Sequence, residues 1–277
     1  MQLPDIQKTE DTRGVRIDRV GVTGIRLPVQ VLRKGTLATV DTVGSFELDV
    51  DLPDYVKGTH MSRFSSILNE HVSAGGVFSA TDIQQLAEQV LVQLEGSTQA
   101  RVRMECDYFV RQAAPVSGLW GIAPLKAVLA VHTSKEVTWH TTGIEIDGKT
   151  CCPCSREISG YDPVTGMGRG AHSQRGKAVV EVRHGPAQLI WFEDLIDVCL
   201  QAFSSAVYPV LKRPDEKAVT EAAYGNPKFV EDVVRDIAVG LQRDILTFQD
   251  TTAYVRVENA ESIHYHNAFA EVFLGGR

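Results

Sequence analysis

No stretch of this chain is apolar for long enough to cross a bilayer, since nothing approaches the ~18 consecutive apolar residues that a membrane helix needs. The opening "MQLPDIQKTEDTRG" is polar and mixed in charge, without the apolar core of a secretion signal. A surplus of positive charge is missing too. The formal net charge is −7, whereas a surface that neutralises nucleic-acid phosphates needs a broad excess of Lys and Arg. A small anion needs only a local basic cluster and stays allowed. Neither glycine loop of the common nucleotide folds is present, G-x-x-x-x-G-K-[ST] or G-x-G-x-x-G after a strand. Cysteine is scarce: the five present form neither the spread framework of a disulfide-stapled domain nor the paired spacing of a zinc finger. The expectation is a cytoplasmic protein with reduced thiols, touching neither nucleic acid nor membrane.

What remains is an ordinary globular composition of 277 residues, 43% hydrophobic and 23% charged, with room for one large domain or two smaller ones. "VRIDRVGVTGIRLPVQVL" and "GSFELDVDLP" alternate apolar and polar residues, the period of a strand with one buried face. "SRFSSILNEH" and "ATDIQQLAEQVLVQLEG" read as helices, the second with Thr81 or Asp82 to cap it and Gly96 to end it. "TQARVRMECDYFVRQ" and "PLKAVLAVHTSKEVTWHTTGIEI" return to strand character. The second half repeats that order. Strand-like "GIEIDGKTC" and "KAVVEVRHG" precede two helical stretches, "WFEDLIDVCLQAFSSAVYPVLKR" and "NPKFVEDVVRDIAVGLQRDI". Asn226 is expected to cap the second of these, with Pro227 at its first position. "TTAYVRVEN" and "SIHYHNAFAEVFL" close the chain as strands. An α+β fold follows: two ββααββ modules, each an antiparallel four-stranded sheet with a helix pair on one face, spanning 1–140 and 141–277.

"GKTCCPCSREISG" holds Cys151, Cys152 and Cys154, while Cys106 and Cys199 sit in apolar patterns as core thiols. His172 of "GAHSQRG" lies downstream, and a C-x-C pair with a distant His suits a soft-to-borderline cation. With no second cysteine pair, an open site completed by a carboxylate fits better than a closed one. "LKRPDEKAVTE" offers Asp215 and Glu216 directly after a predicted helix, flanked by Lys212, Arg213 and Lys217; a solvated helix-end loop is the competing reading. "ESIHYH" offers Glu261, His264 and His266 on a predicted strand, the two histidines on one face and Glu261 on the other unless the chain bulges near Ser262. "YVKGTHMSRF" puts Lys57, Thr59, His60, Ser62 and Arg63 at a loop-to-helix junction, either a phosphate cradle or a capped helix start with surface charges.

Taken together and in order, "PDIQ", "KGTHMSRF", "CPCSREIS", "GAHSQRG", "KRPDEK", "NPKFVED" and "ENAESIHYHNAFA" resemble the type IB GTP cyclohydrolases along nearly the whole chain. The resemblance implies a tunnelling fold of two ββααββ modules in a barrel-forming homo-oligomer, a tetramer, with sites at module and subunit interfaces. It implies conversion of GTP and water to 7,8-dihydroneopterin triphosphate and formate, the entry to folate and other pterins. Carried over by position, Cys152, His172 and Glu216 resemble the metal ligands. Glu231 resembles the carboxylate that anchors guanine, Glu261 and His264 resemble acid/base or water-orienting groups, and Cys154 looks like a second active-site thiol. The metal implied is Mn²⁺ or a promiscuous site that also takes Zn²⁺ or Fe²⁺. Lys57, Arg63, Arg175, Lys212 and Arg213 are candidates for the triphosphate, with His60 and Ser62 beside them in the substrate-binding set. This chain departs from the family pattern by extra residues within "YDPVTGMGRG", between the cysteines and His172. A loop that bulges outward leaves His172 in reach of the metal at modest entropic cost. Two rivals remain: another purine or pterin enzyme of this fold using a cysteine nucleophile, and a non-enzymatic protein with a structural ion.

Overall fold

Long alternating segments become long strands in the computed structural model, which describes residues 5–35, 38–160, 164, 170–248 and 250–275. β1 (Ile17–Leu32) and β2 (Thr39–Leu52) pair antiparallel, with Val29 opposite Thr42 and a register shift between Val22 and Ile25. Gly24 supplies the positive φ there. β2 continues onto β4 (Gln99–Ala113), Phe46 opposite Met104, and the short β3 (Val77–Phe78) runs parallel to β1. Between them lie α1 (Met61–Ser73) and α2 (Ala80–Gln93), which bury Phe64, Ile67 and Leu68, and Ile83, Leu86 and Val90. β5 (Trp120–Ser134) and β6 (Thr138–Cys151) follow.

The second half then runs α3 (Pro153–Gly160), β7 (Ser173–His184), α4 (Phe192–Ala202), β8 (Ser205–Ala206), α5 (Arg213–Gly225), α6 (Val230–Asp244), β9 (Thr252–Asn259) and β10 (Ala268–Leu274). The strands hydrogen-bond in the order β10-β9-β7-β6-β5-β4-β2-β1-β3, with β8 on β6. The chain divides into two compact units. One comprises Met1–Asp107, Val128–Thr142 and Arg183–Leu189, around Phe46, Leu48, Val50, Val102 and Met104. The other comprises Tyr108–Ala127, Gly143–Val182 and Ile190–Arg277, around Leu195, Cys199, Val233, Ile237, Leu241 and Val255. Cys106 and Cys199 are buried as expected, and no cysteine forms a disulfide. Among the described residues no helix is long and apolar enough to cross a membrane.

Four local expectations need correction. Ser79, not Thr81 or Asp82, caps α2; Asp82 is its reciprocal partner three positions on, accepting from the Ser79 N–H at 3.0 Å. The stretch 191–213 is not one helix. α4 ends at Ala202 because Phe203 turns extended (φ −73°, ψ 164°) to seat its ring on β6, and Pro209 bars any resumption nearby. Asp215 and Glu216 therefore lie in the first turn of α5 instead of in a loop. α6 begins at Val230, so Asn226 caps the C-terminus of α5 and Pro227 is not helical. Finally, residues 260–267 are the loop of the β9–β10 hairpin, whose last pair is Asn259 with Ala268. Its side chains from Ser262 to Asn267 are all exposed, so no buried face holds them to a strand.

Candidate functional site

The cysteine segment begins where β6 stops. Cys151 is its last residue, buried, with its thiol pushed up by burial; Cys152 is half-buried and Cys154 exposed in the first turn of α3. Cys152 caps α3, its Sγ accepting from the Ser155 N–H at 3.4 Å. Two further bonds join this segment to the histidine that the sequence pairs with it. The Cys152 N–H donates to the His172 carbonyl at 3.1 Å, and the His172 N–H donates to Ser155 Oγ at 3.2 Å. The His172 ring lies with Nδ1 3.0 Å from Gln174 Oε1, which leaves Nε2 as the nitrogen facing away from that contact. Of the extra stretch 161–170, only Val164 and Gly170 fall within the described residues.

Asp215 and Glu216 have opposite surroundings. Asp215 is 0% exposed, and its carboxylate accepts from the Val116 and Ser117 N–H groups at 2.8 Å each, from Ser117 Oγ at 2.7 Å and from the Lys212 N–H at 2.9 Å. Burial alone raises its pKa, but these donors outweigh it and hold the carboxyl well below the usual range. Glu216 follows in the same helical turn with an exposed side chain, beside exposed Lys212 and Arg213. Glu231 is likewise exposed in the first turn of α6, where Asp232 accepts the Phe229 N–H at 3.0 Å and closes the helix start.

The hairpin loop carries Glu261, half-buried, and His264, exposed, whose ring stacks on His266 with centroids 4.9 Å apart. Ala260 and Asn267 bracket that loop and also line a cleft of about 500 Å³ on β6, β7 and β9. Its charges are paired: Arg175 with Asp147 at 3.3 Å, Lys177 with Glu145 at 2.6 Å, Arg256 with Glu258 at 3.1 Å. Arg175, one of the expected phosphate contacts, thus stands in a balanced lattice. In the other unit, Lys57 is exposed, the Arg63 guanidinium donates to the Gln93 carbonyl, Ser62 is exposed, and His60 Nε2 stands 3.4 Å from an Asp5 carboxylate oxygen. Arg63 serves there as a cap on the C-terminal end of α2. Among the described residues, no three His, Cys, Asp or Glu side chains gather closely enough to hold a metal ion.

A family model described as type I GTP cyclohydrolase folE2 matches residues 3–270. The chain belongs to the type I GTP cyclohydrolase family. Its relatives named GTP cyclohydrolase FolE2 include that of Citrifermentans bemidjiense, 40% identical over 271 residues, 98% of this chain and 94% of that one. The protein of Syntrophobacter fumaroxidans is 41% identical over 269 residues, 96% of this chain and 97% of that one, and that of Dictyoglomus thermophilum is 38% identical over 275 residues, 98% of each. Among solved structures, a hyper-thermostable AgUricase mutant superposes with TM-score 0.59 at 7% identity, covering 93% of this chain and 91% of that one. Uricase from Arthrobacter globiformis gives 0.53 at 8%, covering 93% of both. At such identities the likeness speaks for the fold alone, the tunnelling type with its largely antiparallel sheet.

Asp215, which fixes the start of α5, Ser155, which links the cysteine segment to His172, and Ser204, whose Oγ accepts the Cys151 N–H at 3.2 Å, have positioning roles that the motifs do not state. Asp215 stood in view as a charged neighbour of Glu216. The two serines carried no signal, because a hydroxyl that serves a backbone group looks the same in sequence as one on the surface.

Proposed function

We propose that the protein is a GTP cyclohydrolase converting GTP and water to 7,8-dihydroneopterin triphosphate and formate, with a divalent cation held by Cys152 and His172 and Glu216 as third donor. The observation that carries the reading is the bond from the Cys152 N–H to the His172 carbonyl, which ties the two motif segments together in a chain of this family. The donor chemistry suits the cation. Sulfur with imidazole fits a borderline ion, Mn²⁺, Zn²⁺ or Fe²⁺, and the contact of His172 Nδ1 with Gln174 is the outer-shell partner that a ligating imidazole needs. The third donor must come up from the exposed first turn of α5. A cation bound there would supply Lewis acidity, making bound water a stronger nucleophile near neutral pH.

The remaining work belongs to the chain's own groups. Glu231 accepts the N–H edge of guanine and orients the base. Attack at C8 breaks C8–N9 and opens the imidazole ring. A second water cleaves the remaining C8–N7 bond, so that C8 leaves as formate. One water is returned when the ribose carbons rearrange and close the pterin ring, for a net consumption of one. Glu261 and His264 move protons through these steps, and Cys154 lines the site as a second thiol. Lys212, Arg213 and Arg175 are the triphosphate contacts of their unit, and Lys57, His60, Ser62 and Arg63 are those of the other, with Arg175 and Arg63 exchanging their present partners for phosphate oxygens. We further read the chain as two modules, 1–140 and 141–277, acting as a homotetramer in the cytoplasm; sedimentation velocity on the purified chain checks the oligomer.

Incubation of the purified protein with GTP and Mn²⁺ is expected to give formate and, after oxidation, a fluorescent pterin. Chelator should abolish both and added Mn²⁺ restore them. Neither product with Mn²⁺, Zn²⁺ or Fe²⁺ would overturn the reading.

A further inference from the structure

Beyond β6 the sheet ladder no longer holds the chain, yet the residue that must present a thiol comes next. Other bonds take over there. The Cys151 N–H donates to Ser204 Oγ at 3.2 Å, and the Cys151 carbonyl accepts from the Lys228 N–H at 3.0 Å. Ser204 is 4% exposed and is itself fixed from several sides. The Asn226 amide donates to the carbonyls of Phe203 at 3.2 Å and Ser204 at 3.4 Å. Ser205 and Ala206 pair with Lys149 and Gly148 of β6. The ring of Phe203, 2% exposed, lies against two glycines: a Cβ at Gly148 would overlap it, and one at Gly176 would stand 2.9 Å from it. Lys228 spans back to the end of α4, its Nζ 2.8 Å from the Ala202 carbonyl.

We propose that Ser204, held by Asn226, is a positioning residue for the Cys152 thiol: by taking the Cys151 N–H it sets the direction in which the chain leaves β6 and so where Cys152 points. The inference rests on the reading of Cys152 as a metal ligand. Outer-shell partners of this kind act by fixing the orientation of a ligand, and their loss weakens metal binding about 10- to 100-fold.

Titration of the metal-free, full-length protein with Co²⁺ tests it, because a cobalt–thiolate bond has its own charge-transfer absorption and needs no turnover. Cys152→Ala should abolish that band. Ser204→Ala should keep the band but raise the Co²⁺ dissociation constant about tenfold or more, and Ser204→Thr, which restores a hydroxyl, should recover most of the affinity. A merely structural role would lower the melting temperature and leave affinity unchanged in the folded protein. Should Ser204→Ala not fold, Asn226→Ala, one bond further out, is expected to weaken Co²⁺ binding in the same direction. Wild-type affinity in the Ser204 or Asn226 variants, with the band lost in Cys152→Ala, sinks the positioning role and leaves the metal site standing. A band that survives Cys152→Ala sinks both.

Discussion

Asp215 and Glu216 are adjacent in the chain, share a charge and do different things. The four donors on Asp215 leave it no capacity for a ligand, whereas Glu216 projects into solvent from the turn that Asp215 secures. Asp215→Asn replaces an acceptor with a group that also donates, so the variant should melt at a lower temperature than the wild type at neutral pH. Because the folded carboxyl is held below its unfolded value of about 3.9, the contribution is complete above that value and disappears as pH falls through the folded one. The gap in melting temperature, followed by calorimetry, should therefore persist from pH 7 down to about 4 and close below. The thiols divide by burial in the same way. Cys199 is pushed up to about 12 by burial and Cys151 is also raised, whereas Cys154 is exposed. Brief alkylation of the native protein, read by peptide mass spectrometry, should label Cys154 and spare Cys199 and Cys151. At this scale the sequence reveals ligand-type residues well, since thiol and imidazole advertise their chemistry. It hides Ser155 and Ser204, which act through backbone groups that every residue possesses.

At the scale of elements, period-two and helical patterns predict most strands and helices, and they fail where a tertiary contact overrides them. "LIDVCLQAFSSAV" keeps its apolar rhythm past Ala202, yet Phe203 gains more by leaving the helix for the glycine seat than by continuing it. The hairpin loop misleads in the opposite sense, because "SIHYHN", residues 262–267, alternates without a strand partner to make the alternation count. Buried histidines give elements a titratable weakness. His140 on β6 is lowered to about 4, by burial first and then by His184, whose ring lies 5.4 Å away and which burial also lowers. The groups bonded to them are neutral: Gln84 of α2 on His140, and Thr142 and the Gly185 carbonyl on His184. The unfolded imidazoles, near 6.5, bind protons more readily than the folded ones, so the stability is full above about 6.5 and is lost as pH falls toward 4. His140→Gln should flatten the melting temperature against pH across that interval. An unchanged slope would show that the pair does not titrate with unfolding.

For the molecule as a whole, the recurring element order was readable because each half states it in hydrophobic pattern, whereas the division into compact units follows contacts that no pattern encodes: Val128–Thr142 and Arg183–Leu189 join the first unit from the middle of the chain. Whole-molecule stability also reports on ligand. With turnover stopped by chelator, GTP at a hundred times its dissociation constant should stabilise the fold by about 2.7 kcal/mol if it binds the native state alone. A melting temperature that does not move in saturating GTP counts against the proposed substrate. Gly148 and Gly176 bear on how such a chain can change over time. Adding one carbon atom at either would crowd the aromatic ring between them, and the disturbance would travel through a serine hydroxyl to the sulfur that follows β6. The positions least open to variation in this enzyme thus include two with no side chain at all.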